Sequence, residues 1–237
     1  MRSIKVLSFL LAYPSAAHQE VLPECMEILE EEKGLSAKAL QRVSELCQWI
    51  ESRPLLDIQE EYVDLFDRTP SLCLHLFEHI HGDSRERGQA MVDLGEIYKS
   101  SGLIILSDEM PDFLPLFLEY LSTLSPEKTY QNLGDVGSVL GAIGERLKKR
   151  QSHYASVFEA LLEMADRKPN LKEIEEAVKK DSGKIPDLAE IDQQWEEQFA
   201  FENTDQTTGA GGCPAAEDML RRINIPVTNN KTQKETV

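Results

Sequence analysis

Positive charge is short in this chain: 25 Lys and Arg stand against 42 Asp and Glu, a formal net charge of −17 at pH 7. A phosphate backbone repels such a chain, which gains nothing from counterion release, so nucleic acid is not an expected ligand. Cysteine is scarce too. Cys25, Cys47, Cys73 and Cys213 are far apart with no CxxC pair, which speaks against a zinc ribbon and a thioredoxin-type redox motif. Three of them sit in helical, partly apolar contexts, where cysteine is usually a small buried hydrophobe, and a reducing compartment fits best. No apolar run approaches the ~20 residues of a membrane span, so no direct membrane insertion is expected. Period-2 alternation is nearly absent and no internal repeat stands out. The phosphate-binding patterns GxGxxG and GxxxxGK[ST] and the nucleophile elbow GxSxG are missing.

What the chain does have is helical periodicity, and it is densest over 62–102. There Phe66, Leu72, Leu76, Phe77 and Ile80 supply apolar surface, with Asp64, Asp67, Arg68, Glu78, His79, Arg85 and Arg87 directly beside it. The pattern predicts two amphipathic helices joined at His81-Gly82. Gly82 can take the positive φ that ends the first, and Asp83 with Glu86 reads as a capping box opening the second. Met91, Leu94 and Tyr98 give that second helix its inner face, and Gly102 stops it.

Around this pair the same signals predict further helices over 4–13, 18–33 (closed by Gly34), 37–52 (capped by Ser36) and 58–66. The run DEMPDFLPLFLEYLSTL gives a central helix, with Pro111 and Pro115 at or near its first turn and Glu119 and Tyr120 as its few polar handles. A glycine-rich helix is expected over 132–149. Its glycines 134, 137, 141 and 144 suit either close helix contact or a softer segment, and its basic end complements the helix dipole. A patterned helix over 152–167 and a weak charged one over 171–180 complete the series. From 185 to 220 there is no Lys or Arg, only acidic residues around an amphipathic patch at Leu188, Ile191, Trp195 and Phe199. The expected architecture is all-α: a single helical bundle over 1–167 and an acidic, partly disordered tail over 168–237.

Catalytic constellations are weak. His75 and His79 are four apart and would share a helix face, the spacing of a metal-binding pair, yet the residue after His75 is Leu76, not the Glu of a zincin. A Cys73–His75 nucleophile pair would diverge around a helix. The N-terminal stretch admits two readings. Arg2 and Lys5 before the apolar run 6–12, with Ser15-Ala16-Ala17 behind it, resemble a secretory signal; the same residues also make a core helix ended by Pro14.

The strings YVDLFDR, SLCLHLFEHIHGDSRERGQAMVDL and EMPDFLPLFLEYL, with LLAYP near the start and His153-Tyr154-Ala155 further on, resemble the NarJ-type nitrate reductase molybdenum cofactor assembly chaperones. These are relatives of the TorD/DmsD-like redox-enzyme maturation proteins. The resemblance spans residues 5–167. It implies a helical bundle of TorD/NarJ-like type, a cytoplasmic chaperone rather than an enzyme, with no cofactor of its own, and a core-helix role for LLAYP. It implies a client as well: the apo catalytic (α) subunit of respiratory nitrate reductase, including its N-terminal peptide. The chaperone would hold that subunit until cofactor insertion, and the α/β complex until it docks at the membrane. Carried onto this sequence, client-peptide contacts are expected among Tyr62, Phe66, Asp67, Arg68, Glu78, His79, Gly82, Arg85, Arg87, Gln89, Asp112, Pro115, Glu119 and Tyr120. Of these, Gly82 and Pro115 also read as backbone-shape residues, and Phe66 and Tyr120 as core. A basic peptide would pair with Asp64, Asp67, Glu78 or Glu119 and lay its apolar face on Phe66, Phe77 or Phe117. The alternatives are a metal-dependent enzyme built on His75 and His79, and a helical adaptor that docks through the Trp195 region.

Overall fold

A computed structural model describes residues 1–81, 86–106 and 109–180. Among them the regular elements are helical, and a single antiparallel bridge, His75 to Phe113, is the one extended pairing. Helix α1 (Arg2–Leu10) buries Ile4, Val6, Leu7 and Leu10. Helix α2 (Ala16–Glu32) ends on Lys33 at φ 50°, so the left-handed stop expected of Gly34 falls one residue earlier. Helix α3 (Ala37–Glu51) opens as expected, with the Ser36 hydroxyl accepting from the Ala39 N–H at 3.2 Å. Helix α4 (Leu55–Tyr62) runs into one turn of π-helix over Val63–Asp67. Helices α5 (Leu76–His81) and α6 (Glu86–Ser100) are the central pair; their join, including Gly82, Asp83 and Arg85, lies outside the described residues. Gly102, at φ +80°, takes the conformation that ends α6 cheaply only for glycine.

Then come α7 (Leu114–Ser122), α8 (Pro126–Asp135), α9 (Gly137–Lys149), α10 (Ala155–Met164) and α11 (Leu171–Lys180). The helix expected over 132–149 is therefore two, broken at Val136. Gly134 and Gly137 flank the break, and two residues of low helix propensity give little resistance to it. The expected amphipathic patch at Leu188, Ile191, Trp195 and Phe199 lies outside the described residues.

Helix α1 packs most extensively on α7, and α9 on α10 and α11; α10 also seats on α3. The first junction is pinned by the Ser8 hydroxyl, which donates to the Pro115 carbonyl at 2.6 Å inside the core. The end of α1 is held by α4, where the Tyr62 hydroxyl donates to the Leu11 carbonyl at 2.8 Å and Gln59 donates to the Pro14 carbonyl at 2.8 Å. The run is thus a core helix as far as Leu10, with Leu11 buried just past its end; the helix expected to continue to residue 13 stops there, and the rest of LLAYP is the turn into Pro14. The α3–α10 junction carries Arg42 to Glu159 at 2.7 Å.

The glycines of α8 and α9 are close-approach sites. A Cβ on Gly144 would stand 3.1 Å from the Phe158 Cβ, and one on Gly141 would collide with the Ile174 side chain. Ile174 is the buried anchor of α11. Replacing Gly141 with Val should therefore lift α11 off α9, removing about 2 kcal/mol of apolar burial. Hydrogen exchange measures this directly: the amides of 171–180 should lose protection while those of α1, α7 and α10 keep theirs.

Candidate functional site

The polar residues of 62–120 gather around one buried carboxyl group. Asp112 is fully buried; its Oδ2 accepts the Phe77 N–H at 3.1 Å and its Oδ1 lies 3.2 Å from His75 Nδ1. Its own carbonyl accepts the Leu76 N–H at 3.0 Å, and the Leu74 carbonyl accepts the Leu114 N–H at 2.7 Å. Residues 74–76 are thus drawn out against 112–114, and Asp112 satisfies free N–H groups at the start of α5 that a short helix cannot satisfy itself. This corrects the expected helix through His75. His75 precedes α5, so it does not share a helix face with His79.

A second cluster sits on α5 itself. The Cys73 thiol donates to Glu78 Oε2 at 2.8 Å, Arg87 pairs with Glu78 Oε1 at 2.9 Å, and His79 Nε2 donates to the Cys73 carbonyl at 2.9 Å. Burial first, then the Glu78 carboxylate beside it, pushes the Cys73 thiol up to about 12, so it stays protonated. Burial pushes the Glu78 carboxyl up, but the bonds from Cys73 and Arg87 outweigh it and hold that carboxyl below its ordinary range. Burial pulls His79 down, keeping it neutral. His75 goes the other way: its bond to Asp112 raises it against the opposing effect of burial. Among the described residues no three His, Cys, Asp or Glu side chains converge as a metal set, and His75 and His79 face different partners.

The expected contact residues separate by exposure. Tyr62, Phe66, Asp112, Pro115 and Tyr120 are buried. Phe66 lies between Tyr62, tilted against it, and Tyr154, edge-on to it, and the Tyr120 ring meets Tyr98. Phe77 and Phe117, read as groove walls, are fully buried, so the apolar surface expected of Phe66, Phe77 and Phe117 is core. Glu78, His79 and Arg87 are half-buried and bonded to one another or to Cys73. Asp67, Arg68, Gln89 and Glu119 are exposed; Arg68 pairs with Asp64 at 2.8 Å, Gln89 donates to Asp93, and Glu119 faces Lys5 at 3.4 Å. Gly82 and Arg85 lie outside the described residues.

Sequence reasoning missed two features. Arg146 and Arg150, read as dipole partners at the end of α9, reach across to the Ser71 carbonyl at 3.1 Å and the Thr69 hydroxyl at 3.2 Å, anchoring the turn before α5. The other is an open, mostly apolar cleft of about 250 Å³ between α1 and α7, lined by Phe9, Ala12, Phe113 and Leu116 together with Lys5, Glu109 and Glu119. The sequence signal for it was Phe9, a large aromatic set off the inward face of α1.

A family model described as nitrate reductase delta subunit matches residues 32–160, which include α3 to α9 and most of α10. The chain belongs to the nitrate reductase delta subunit family. Among its relatives, the nitrate reductase molybdenum cofactor assembly chaperone NarJ of Escherichia coli (strain K12) is 36% identical over 198 residues, 84% of each chain. The probable nitrate reductase molybdenum cofactor assembly chaperone NarW of the same strain is 35% identical over 214 residues, 90% of this chain and 89% of its own. The nitrate reductase-like protein NarX of Mycobacterium tuberculosis (strain CDC 1551 / Oshkosh) is 32% identical over 160 residues, 67% of this chain and 24% of that protein. The matched stretch takes in Asp112 and its partners, and NarJ and NarW, the two of these relatives covered over more than four fifths of their length, are named as assembly chaperones.

Two measurements probe the Asp112 network. Asp112→Ala leaves a half-buried imidazole and a buried helix-start N–H without their acceptor and should cost about 3 kcal/mol in urea unfolding. The His75 bond has a definite pH signature. Its folded value is raised above the ordinary 6.5, so its stabilisation is complete below about pH 6.5 and is lost as pH rises through the folded value. Buried His18 and His79 act in the opposite sense, being lowered by burial, so total stability blends the two. The difference between wild type and His75→Gln isolates the first: the gap in unfolding midpoint should be widest at acid pH and close towards pH 9.

Proposed function

We propose that this chain is a cytoplasmic assembly chaperone whose client is the apo catalytic (α) subunit of nitrate reductase. It binds the client's N-terminal segment and holds the subunit competent for molybdenum cofactor insertion, and the α/β complex until membrane docking. The observation that carries the reading is the near end-to-end likeness to a named assembly chaperone, 84% of each chain. Three others support it. The acidic balance suits a basic client segment. Cys73, His75 and His79, the residues an enzyme would need, are engaged in bonds within the protein. No described helix is long and apolar enough to cross a membrane. Client contact falls on the members of the expected set that keep surface, Asp67, Arg68, Gln89 and Glu119, with Glu78, His79 and Arg87 at the margin and Gly82 and Arg85 between them in sequence. Tyr62, Phe66, Asp112, Pro115 and Tyr120 serve the site from within by fixing its shape.

Calorimetric titration with a synthetic peptide of the α-subunit N-terminus tests this. Binding on the order of micromolar is expected, weakened by salt and by substitution of the peptide's arginines. No binding of the peptide, together with no capture of the apo α subunit, would sink the proposal.

A further inference from the structure

We infer that the basic edge where the end of α9 faces α3 is the docking site for the chain's own acidic segment 187–199. That segment sets carboxylates on Arg42, Lys148 and Lys149 and lays Trp195 against His153. It lies beyond the described residues.

Charge marks the place. In a chain of net charge −17, residues 146–150 hold four cations in five positions, and no acid follows until Glu159. Arg146 and Arg150 reach inward to Ser71 and Thr69, whereas Lys148 and Lys149 stay exposed. Lys149 has no ion pair among the described residues. Between this turn and α3 lies a cleft of about 470 Å³, lined by Arg42, Glu45, Lys148, Gln151 and His153 among others. Arg42 and Lys148 share one carboxylate, Glu159, at 2.7 and 2.9 Å, and Lys148 also meets Glu145 at 2.7 Å. A guanidinium has five N–H donors and an ammonium three, so both keep donors to spare. Their side chains are 42% and 38% exposed, which leaves those donors open to a guest. Glu45, the one acid lining the cleft, already accepts from Gln41 at 3.2 Å. His153 stacks on half-buried Trp49, ring centroids 5.6 Å apart, and gives the lining an aromatic surface.

The direction of α11 selects the occupant. Pro169 packs at Gly137 and Ile174 at Gly141, so α11 runs along α9 in the same sense. At about 1.5 Å per residue, the stretch from Ile174 to Lys180 matches that from Gly141 to Leu147, and α11 ends beside the last turn of α9. Residue 187 follows so soon that, at about 3.6 Å per residue, it starts within roughly 25 Å of that end. The segment carries Asp187, Glu190, Asp192, Glu196 and Glu197 with no Lys or Arg, and Leu188, Ile191, Trp195 and Phe199 at near-helical spacing. So short a tether gives an effective concentration of about millimolar, at which weak contacts keep the segment seated. A basic peptide is repelled by the same lysines, and the segment of a second copy has to displace one that is already tethered.

Two readouts on the full-length chain test this. Zero-length carbodiimide cross-linking of dilute protein, with isotope-labelled and unlabelled chains mixed, should join Lys148 or Lys149 to a carboxylate of 187–197 within one chain. Fluorine NMR of the fluorotryptophan-labelled chain gives one line each for Trp49 and Trp195. Both lines should move in Glu196→Lys with Glu197→Lys, and again in Lys148→Glu with Lys149→Glu. Combining all four substitutions should return them towards their wild-type positions. High salt should move both wild-type lines as the reversals do. Should the lysine variant fail to fold, the glutamate pair, at positions beyond α11, carries the test alone. A Trp49 line untouched by the glutamate pair, or no cross-link from 187–197 to Lys148 or Lys149, would overturn the inference. Cross-links found only between labelled and unlabelled chains would overturn it too, and would give the basic edge to a second copy.

Discussion

A carboxyl group with no exposed surface is costly unless every lone pair finds a donor, and Asp112 makes that requirement into architecture. Its donors are the Phe77 N–H and His75, so it must lie against the start of α5. Its neighbours in the chain are fixed at the same moment, since Leu114 bonds back to Leu74 and α7 begins there. Once α7 is set, so is α1, its most extensive partner. Tyr98, donating to the Pro111 carbonyl at 2.8 Å, ties α6 to the same short stretch. One buried acid and the residues on either side of it thus bring four helices together, its own bond to Phe77 spanning 35 residues.

That constraint also marks where the sequence could and could not be read. Helix existence was legible wherever local signals agreed with the tertiary outcome: Ser36 before α3, Pro115 in the first turn of α7, Gly102 after α6. The residues 73–75 carry helix-compatible side chains, and nothing local says that they will be drawn out to meet 112–114. A long-range bond overrode a weak local preference, and the His75–His79 pairing dissolved with it. Phe66, Phe77 and Phe117 were misjudged for a related reason. Periodicity identifies an apolar face but not what covers it, and here neighbouring helices do. The break at Val136 was hidden because its glycines suited two readings, and what packs against them comes from the later chain: Asp166 and Arg167 at Gly134 and Pro169 at Gly137.

The candidate site was half legible for a physical reason as well. Sequence motifs collect residues that are special, and Cys73, Glu78, His79 and Arg87 are special because they bond to one another, as Asp112 does to His75 and Phe77. A network satisfied from within rigidifies its surroundings and has few groups left for a ligand. The cleft at Phe9 and Leu116 has the opposite character: common residues and apolar surface that the core left uncovered, with only the Ser8 bond to Pro115 and the exposed Lys5–Glu119 pair among its lining.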